Sequence, residues 1–333
     1  MTTSSIWKRI RTALIATGLG LAAAGASAQS FANGADVSWV SQQESSGYKF
    51  YNSAGVQTDP FLLLKNLQIN AIRLRVWVNP AGGWSGGADV LYKAKRAAAQ
   101  GQRIMIDFHY SDAWADPGKQ NKPAAWANHT IAQLLHDVDS HTRGILNYLK
   151  TNGINVEWVQ IGNEINGGML WPEGSTANFA NLASLINSGY NASKAVYPNA
   201  KVIVHLANGY KMNEFRSFFD RLKANGGKWD VTAMSHYPPP ADWANYNRYV
   251  SDTMWDMIAR YSKPVMIAEV GMDWQQAAAS KSMLTDLLAK TRAMGANGLG
   301  VFYWEPQAYP GWQGYTFGAM DTTGKFTAAM DPF

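Results

Sequence analysis

Eight short apolar runs, their centres about 30 to 50 residues apart with helix-patterned segments between them, constrain this chain more than any other feature. Four are "GADVSW" (34–39), "AIRLRVW" (71–77), "RIMIDFHY" (103–110) and "EWVQIGNE" (157–164). The others are "KVIVHL" (201–206), "DVTAMSHY" (230–237), "PVMIAEV" (264–270) and "GLGVFYWE" (298–305). Such spacing holds a strand, a loop, a helix and a return loop, which makes successive strands parallel neighbours. The intervening segments carry the 3.6-residue period of amphipathic helices: "DPFLLLKNL", "ADVLYKAKRAAAQG", "IAQLLHDVDSHTRGILNYLKTNG", "FANLASLINSGYNASKAVYP", "EFRSFFDRLKANGG" and "KSMLTDLLAKTRAMGANG". Several end in Gly or Asn-Gly, the left-handed stop expected before a strand. Eight alternations predict a single-domain α/β protein, a (β/α)8 barrel, with a doubly wound open sheet as the alternative. No linker, repeat or low-complexity tract marks a second domain.

The first 28 residues read as an address rather than as part of the fold. Lys8, Arg9 and Arg11 precede the short apolar run "ALIATGLGLAAAGA", and Ala26-Ser27-Ala28 has the small-residue pattern that a signal peptidase cuts after. Gln29 is then the mature start, residues 29–333 form the catalytic domain, and the protein is expected to be exported, to a periplasm or out of the cell. The alternative, an uncleaved anchor, needs an apolar run of roughly 20 residues, and this one is shorter and Ala/Gly-rich. The leader holds three basic and no acidic residues, so the formal charge falls from +5 to +2, with 26 basic against 24 acidic residues left. A nearly neutral domain is expected to bind neither nucleic acid nor, once the leader is cut, a membrane. The absence of cysteine excludes disulfides, thiolate zinc sites and a cysteine nucleophile. Fourteen Trp and 15 Tyr are more than a core of this size needs, and exported proteins use such rings to stack on sugars as well as to fill cores.

In a (β/α)8 barrel the chemistry sits at the C-terminal ends of the strands. This sequence places Asp36 or Trp39 there on the first strand, Arg73, Arg75 and Trp77 on the second, and Asp107, His109 and Tyr110 on the third. Asn163 and Glu164 end the fourth, His205 lies on the fifth, His236 and Tyr237 end the sixth, Glu269 the seventh, and Trp304 and Glu305 the eighth. Two carboxylates on well-separated strands suit glycoside hydrolysis with retention, one protonating the leaving oxygen while the other attacks the anomeric carbon. Glu164 and Glu269 fit that requirement, since each follows a hydrophobic strand where an uncompensated charge is costly. Arg73 and Arg75 share a face of the second strand, from which they can keep the nucleophile ionised, and Tyr237 can hydrogen-bond it. For Arg73 the competing role is an ion pair inside the barrel.

The pairing of "GNE" with "AEVG" resembles the clan of retaining barrel glycosidases with catalytic Glu on strands four and seven. Within it, "GADVSW", "ESSGYKFYNSAG", "IRLRVWVNP", "DFHYSDAWADPGKQ" and "KPAAW" resemble glycoside hydrolase family 53, the endo-β-1,4-galactanases acting on type I arabinogalactan of pectin. The resemblance runs from about Phe31 to the end of the chain. It implies Glu164 as acid/base and Glu269 as nucleophile, with Asp36, Arg75, His109, Asn163, Tyr237 and Trp304 around the subsite of the cleaved galactose, Trp304 as its floor and Asn163 on the neighbouring hydroxyl. His236 and Trp77 complete the expected binding set. No cofactor or metal is expected: some bacterial members hold calcium in a loop after strand seven or eight, but "GMDWQQAAAS" offers Asp273 as its sole acid. The expected partner is a β-1,4-galactan and the expected state a monomer. The same chemistry serves mannanases and glucanases on this barrel, and a sugar-binding barrel without catalysis would have lost or displaced one Glu. His129, His136 and His141 read as helix-surface residues, Trp84, Trp114, Trp274 and Trp312 as stacking or packing rings, and Glu44, Asp112, Asp116 and Glu305 as supporting groups or loop caps.

Overall fold

The computed structural model describes residues 30–333, so the leader and the start at Gln29 lie outside the described residues. Eight parallel strands close a barrel in sequence order. They are β1 (Ala32–Asp36), β2 (Ala71–Val76), β3 (Arg103–Phe108), β4 (Val156–Ile161), β5 (Lys201–Leu206), β6 (Val231–His236), β7 (Val265–Val270) and β8 (Gly298–Trp304). The open-sheet alternative is excluded by the pairing of β1 with β8. Each expected strand is present with ends shifted by a few residues, the difference being residues that already belong to the upper loops.

Helices α1 (Val40–Ser45), α2 (Pro60–Asn66), α3 (Gly87–Ala99), α4 (Ile131–Thr151), α5 (Phe179–Val196), α6 (Met212–Ala224), α7 (Trp243–Tyr261) and α8 (Ala277–Arg292) lie between successive strands. Their local signals are the expected ones: Asp59 accepts from Phe61 and Leu62 with Pro60 at the first helical position, and Thr130 with Gln133 forms a capping box on α4. Sequence periodicity overlooked α7 because its buried face carries Asn247 and Thr253 beside Val250, Met254 and Met257, which breaks the apolar stripe. His141 also departs from expectation. Its ring packs against Phe108, Tyr110 and Trp126, and burial lowers its pKa to about 4, so it is part of the helix–sheet interface.

Alternation along each strand divides the barrel into two cores. Outward residues such as Ile72, Leu74, Ile106, Val159 and Val204 meet the helices, while Ala71, Met105, Trp158, Ile203, Ala233 and Phe302 fill the interior. Gly34 is required there, since a Cβ on it would stand 2.2 Å from the Phe302 ring. Above this apolar floor the inward positions turn polar: Asp36, Arg73, Arg75, Asp107, Gln160, His205 and Ser235 are all buried.

β7 reaches that layer by breaking its own rhythm. Met266 and Ala268 point inward, so strict alternation would turn Glu269 out toward the helices. The register with β6 slips between Met234↔Ile267 and Ser235↔Glu269, leaving Ala268 as an extra residue. This bulge brings Glu269 back to the inside, one use such irregularities serve near active sites. No helix among the described residues is long and apolar enough to cross a membrane.

Candidate active site

Glu164 and Glu269 line one cleft of about 560 Å³ at the C-terminal end of the barrel. Glu164 follows β4 in a left-handed conformation (φ 48°), two residues after Gly162 (φ 76°). A Cβ on Gly162 would lie 2.6 Å from Ile165, so glycine allows the tight exit that presents the acid. Holding a non-glycine residue there costs of order 1 kcal/mol, the kind of strain that collects at functional sites.

The two carboxyl groups have different partners. Glu269 Oε1 is 2.9 Å from Arg73 Nη1, and Oε2 accepts the Tyr237 hydroxyl at 2.9 Å. Glu164 Oε1 lies 2.6 Å from Ser235 Oγ, and Oε2 has no hydrogen-bond partner among the described residues. Burial pushes both carboxyl groups upward; the charge of Glu164 adds to the rise of Glu269, and those of Asp116 and Asp107 add to the rise of Glu164. Arg73 works against that shift on both, but of the two carboxyl groups it touches Glu269 alone.

Arg73 organises the layer beneath. Its guanidinium donates to Asp36 (2.8 Å), Asp107 (2.9 Å), Gln160 (3.1 Å) and Asn163 (3.0 Å) besides Glu269. Burial would raise Asp107, but Arg73 and His109 beside it hold this carboxyl below the usual range. His109 Nδ1 accepts from the Ala115 backbone N–H at 3.1 Å, which leaves Nε2 to donate to Asp107 at 3.0 Å. Asn163 donates to the Ala115 carbonyl at 2.8 Å, retaining a second amide hydrogen beside the cleft it lines.

A family model described as Glycosyl hydrolase family 53 matches residues 32–333. The chain belongs to glycosyl hydrolase family 53. Among relatives of this family 53 glycosidase, a "Probable arabinogalactan endo-beta-1,4-galactanase A" of Aspergillus fumigatus is 34% identical, covering 84% of this chain and 85% of the relative. An "Endo-beta-1,4-galactanase" of Bacillus subtilis is 33% identical over 84% of this chain and 71% of its own. Among solved structures, the Ignisphaera aggregans GH53 catalytic domain superposes with a TM-score of 0.79 at 32% identity, covering 90% of this chain and 94% of that one. A fungal β-1,4-galactanase reaches 0.84 at 27% identity, covering 91% and 98%.

Of the expected site residues, the cleft of this family 53 enzyme gathers Glu164, Glu269, His109, Asn163, Tyr237 and Trp304. Asp36 lies below, bound to Arg73 and to the Ser38 hydroxyl at 2.6 Å. Three expectations are corrected. Arg75 does not reach Glu269: it pairs with Glu305 at 2.9 Å and lies under the indoles of Trp114 (4.1 Å), Trp77 (5.0 Å) and Trp39 (5.3 Å). Trp77 therefore packs behind Trp114 rather than lining the cleft. His236 faces away from the site, Nε2 lying 2.8 Å from Asn247 Oδ1 on α7, because it falls on the outward phase of β6.

Trp114 joins Trp304 and Tyr315 as the aromatic wall, with ring centroids 5.8 and 4.7 Å apart along the row. Asp112 caps loop amides of Asn79 and Ala124, Glu44 pairs with Arg96, and Asp273 caps the turn at Gln275. Sequence reasoning missed Gln160 and Ser235. Their signal was phase: each sits one inward step above an apolar interior residue, Trp158 and Ala233 respectively.

Proposed function

We propose that the protein is an exported endo-β-1,4-galactanase that cleaves type I arabinogalactan with retention of anomeric configuration. The observation that carries this reading is the asymmetric carboxyl pair: Glu269 against Arg73 and Tyr237, Glu164 against a lone hydroxyl, both in one aromatic-walled cleft. The galactanase names of the relatives support the substrate. Ser235 stands opposite Glu269 in the β6–β7 ladder and touches Glu164, so one residue bridges the pair. That closeness favours retention, for which about 5–5.5 Å between carboxyl groups is typical, over inversion, which needs roughly 6.5–9.5 Å.

Glu269 attacks the anomeric carbon as Glu164 gives its proton to the departing glycosidic oxygen, forming a galactosyl ester on Glu269. Glu164, now ionised, takes a proton from water; the water oxygen bonds to the anomeric carbon, the ester bond to Glu269 breaks, and Glu164 is again the acid. Trp304 and Trp114 offer flat faces to the sugar, and the free Asn163 amide hydrogen offers a donor to the hydroxyl beside the reacting carbon. Export rests on the leader pattern of residues 1–28.

The test is product analysis of residues 29–333 on β-1,4-galactan, with carboxymethyl cellulose and mannan alongside, and proton NMR of the first-formed anomer. Short β-configured galacto-oligosaccharides from galactan alone are expected. Cleavage of another glycan instead overturns the substrate, an α-configured first product overturns retention, and no cleavage of any overturns catalysis.

A further inference from the structure

Ser235 reaches Glu164 on one side and His205 on the other, its Oγ lying 2.9 Å from His205 Nε2. The direction of this chain is set at its far end. Arg73 donates to Asn163 Oδ1 at 3.0 Å while Asn163 Nδ2 donates to the Ala115 carbonyl at 2.8 Å, which fixes the amide so that Oδ1 is an acceptor only. That oxygen is 3.0 Å from His205 Nδ1, a hydrogen bond only if Nδ1 carries a proton. Gln160 Nε2 is also near Nδ1, at 3.1 Å, but it is closer to two acceptors for its two hydrogens, Asp107 Oδ1 at 2.6 Å and the Gly162 carbonyl at 3.0 Å.

His205 is fully buried, and desolvation, reinforced by Arg73, holds its pKa well below the usual imidazole value, so it carries one proton. With that proton on Nδ1, Nε2 is bare and must accept the Ser235 O–H. A hydroxyl has one hydrogen to give. The short Ser235–Glu164 contact, 2.6 Å, is then either two lone pairs face to face or a carboxylic acid donating to Ser235 Oγ.

We propose that Ser235 and His205 are positioning residues that hold the proton of Glu164, a polarised chain Glu164 O–H to Ser235 O–H to His205 Nε2 whose direction Arg73 sets through Asn163. This deepens the galactanase reading and rests on it for the identity of the acid. One guanidinium thus fixes opposite protonation states, by direct ion pairing on Glu269 and by relayed hydrogen-bond direction on Glu164. When Glu164 has given its proton to the leaving group, Ser235 faces it with a lone pair, and recapture of a proton from water restores the chain. The other charges around Glu164 are Arg73 on β2, Asp107 on β3, Asp116 in the following loop and Glu269 on β7, with the Tyr237 phenol after β6; all stay in place when Ser235 is changed.

The experiment is a carbon-13 titration of the glutamate carboxyls in the wild type, Ser235→Ala and Ser235→Thr, with the Glu164 signal assigned by its loss in Glu164→Gln. It needs no substrate. The Glu164 midpoint falls by about one pH unit in Ser235→Ala, the size of one hydrogen bond to the neutral acid, and returns to within a few tenths of wild type in Ser235→Thr. A midpoint unchanged or raised in a folded Ser235→Ala overturns the proposal, a rise meaning that Ser235 donates to the carboxylate. The alkaline limb of kcat/KM on galactan falls with the titration; a shifted titration with an unmoved limb leaves the relay standing and removes Glu164 as the acid of the reaction.

Discussion

Replacing Arg73 by Met, a side chain of similar reach without charge, tests the centre of the site. The guanidinium is fully buried and lies 2.8 to 2.9 Å from three carboxylates, Asp36, Asp107 and Glu269. Removing one partner of a buried ion pair costs about 3–5 kcal/mol, because the remaining charge keeps its desolvation penalty. Here three carboxylates lose one cation, so the upper end applies at neutral pH until they take up protons. For a protein of this size that amounts to a fall in Tm of roughly 8 °C. The pH dependence gives the sign. Asp107 is held low in the folded state, so its contribution is present above the unfolded value of about 3.9 and is lost as pH falls below it. In Arg73→Met the buried carboxyls are raised instead and become neutral without loss as the solution is acidified, so the gap between variant and wild type narrows from pH 7 toward pH 4. Thermal melting followed by circular dichroism across that range measures it. A variant that melts within about 2 °C of wild type at pH 7, or a gap independent of pH, refutes the assignment of Arg73 as the charge that compensates this layer.

Glu269→Gln keeps the shape of the nucleophile without its charge, and galactan turnover is expected to fall by at least about 10³-fold while circular dichroism stays native. Trp304→Ala removes a flat wall of the cleft and should raise KM for galactan about tenfold with little change in Tm, read from initial rates. His236→Leu leaves the Asn247 amide on α7 short of a partner and should cost about 1–3 kcal/mol in denaturant unfolding, with kcat/KM unchanged, since the ring faces away from the site. Because burial raises the Glu164 pKa, the acid stays protonated above the ordinary carboxylate range; activity is lost as pH rises through that raised value, and a pH–rate profile whose alkaline limb sits near 4.5 would contradict it.

The barrel was legible because periodicity and spacing are local properties of the chain: all eight strands and six of the helices lie where the apolar patterns put them. What escaped has physical causes in each case. Lys93 looks like the wet face of α3, yet its ammonium is buried, donating to the Ser38 carbonyl at 2.6 Å and paired with Asp89 at 2.7 Å. Asn247 looks equally solvent-facing and is buried because His236 supplies its partner. Both Glu residues were found because acids after apolar strands are rare and costly. Gln160 and Ser235 carry no charge, so nothing in composition marks them, and only the inward phase of their strands does. Arg73 and Arg75 are two residues apart on one face, and the choice between them depended on Glu305, distant in sequence, which claims Arg75.

The extra residue at Ala268 makes the aim of the nucleophile a matter of counting. A β7 that kept this alanine but paired with β6 in an unbroken ladder would set Ala268 opposite Ser235 and Glu269 opposite His236, a more regular sheet whose glutamate turned into the helix layer beside apolar side chains. In a strand of this length, regularity of the sheet and competence of the site are opposed. A scheme that transfers this strand to another barrel residue for residue and flattens the bulge keeps every functional residue and turns the glutamate out of the site.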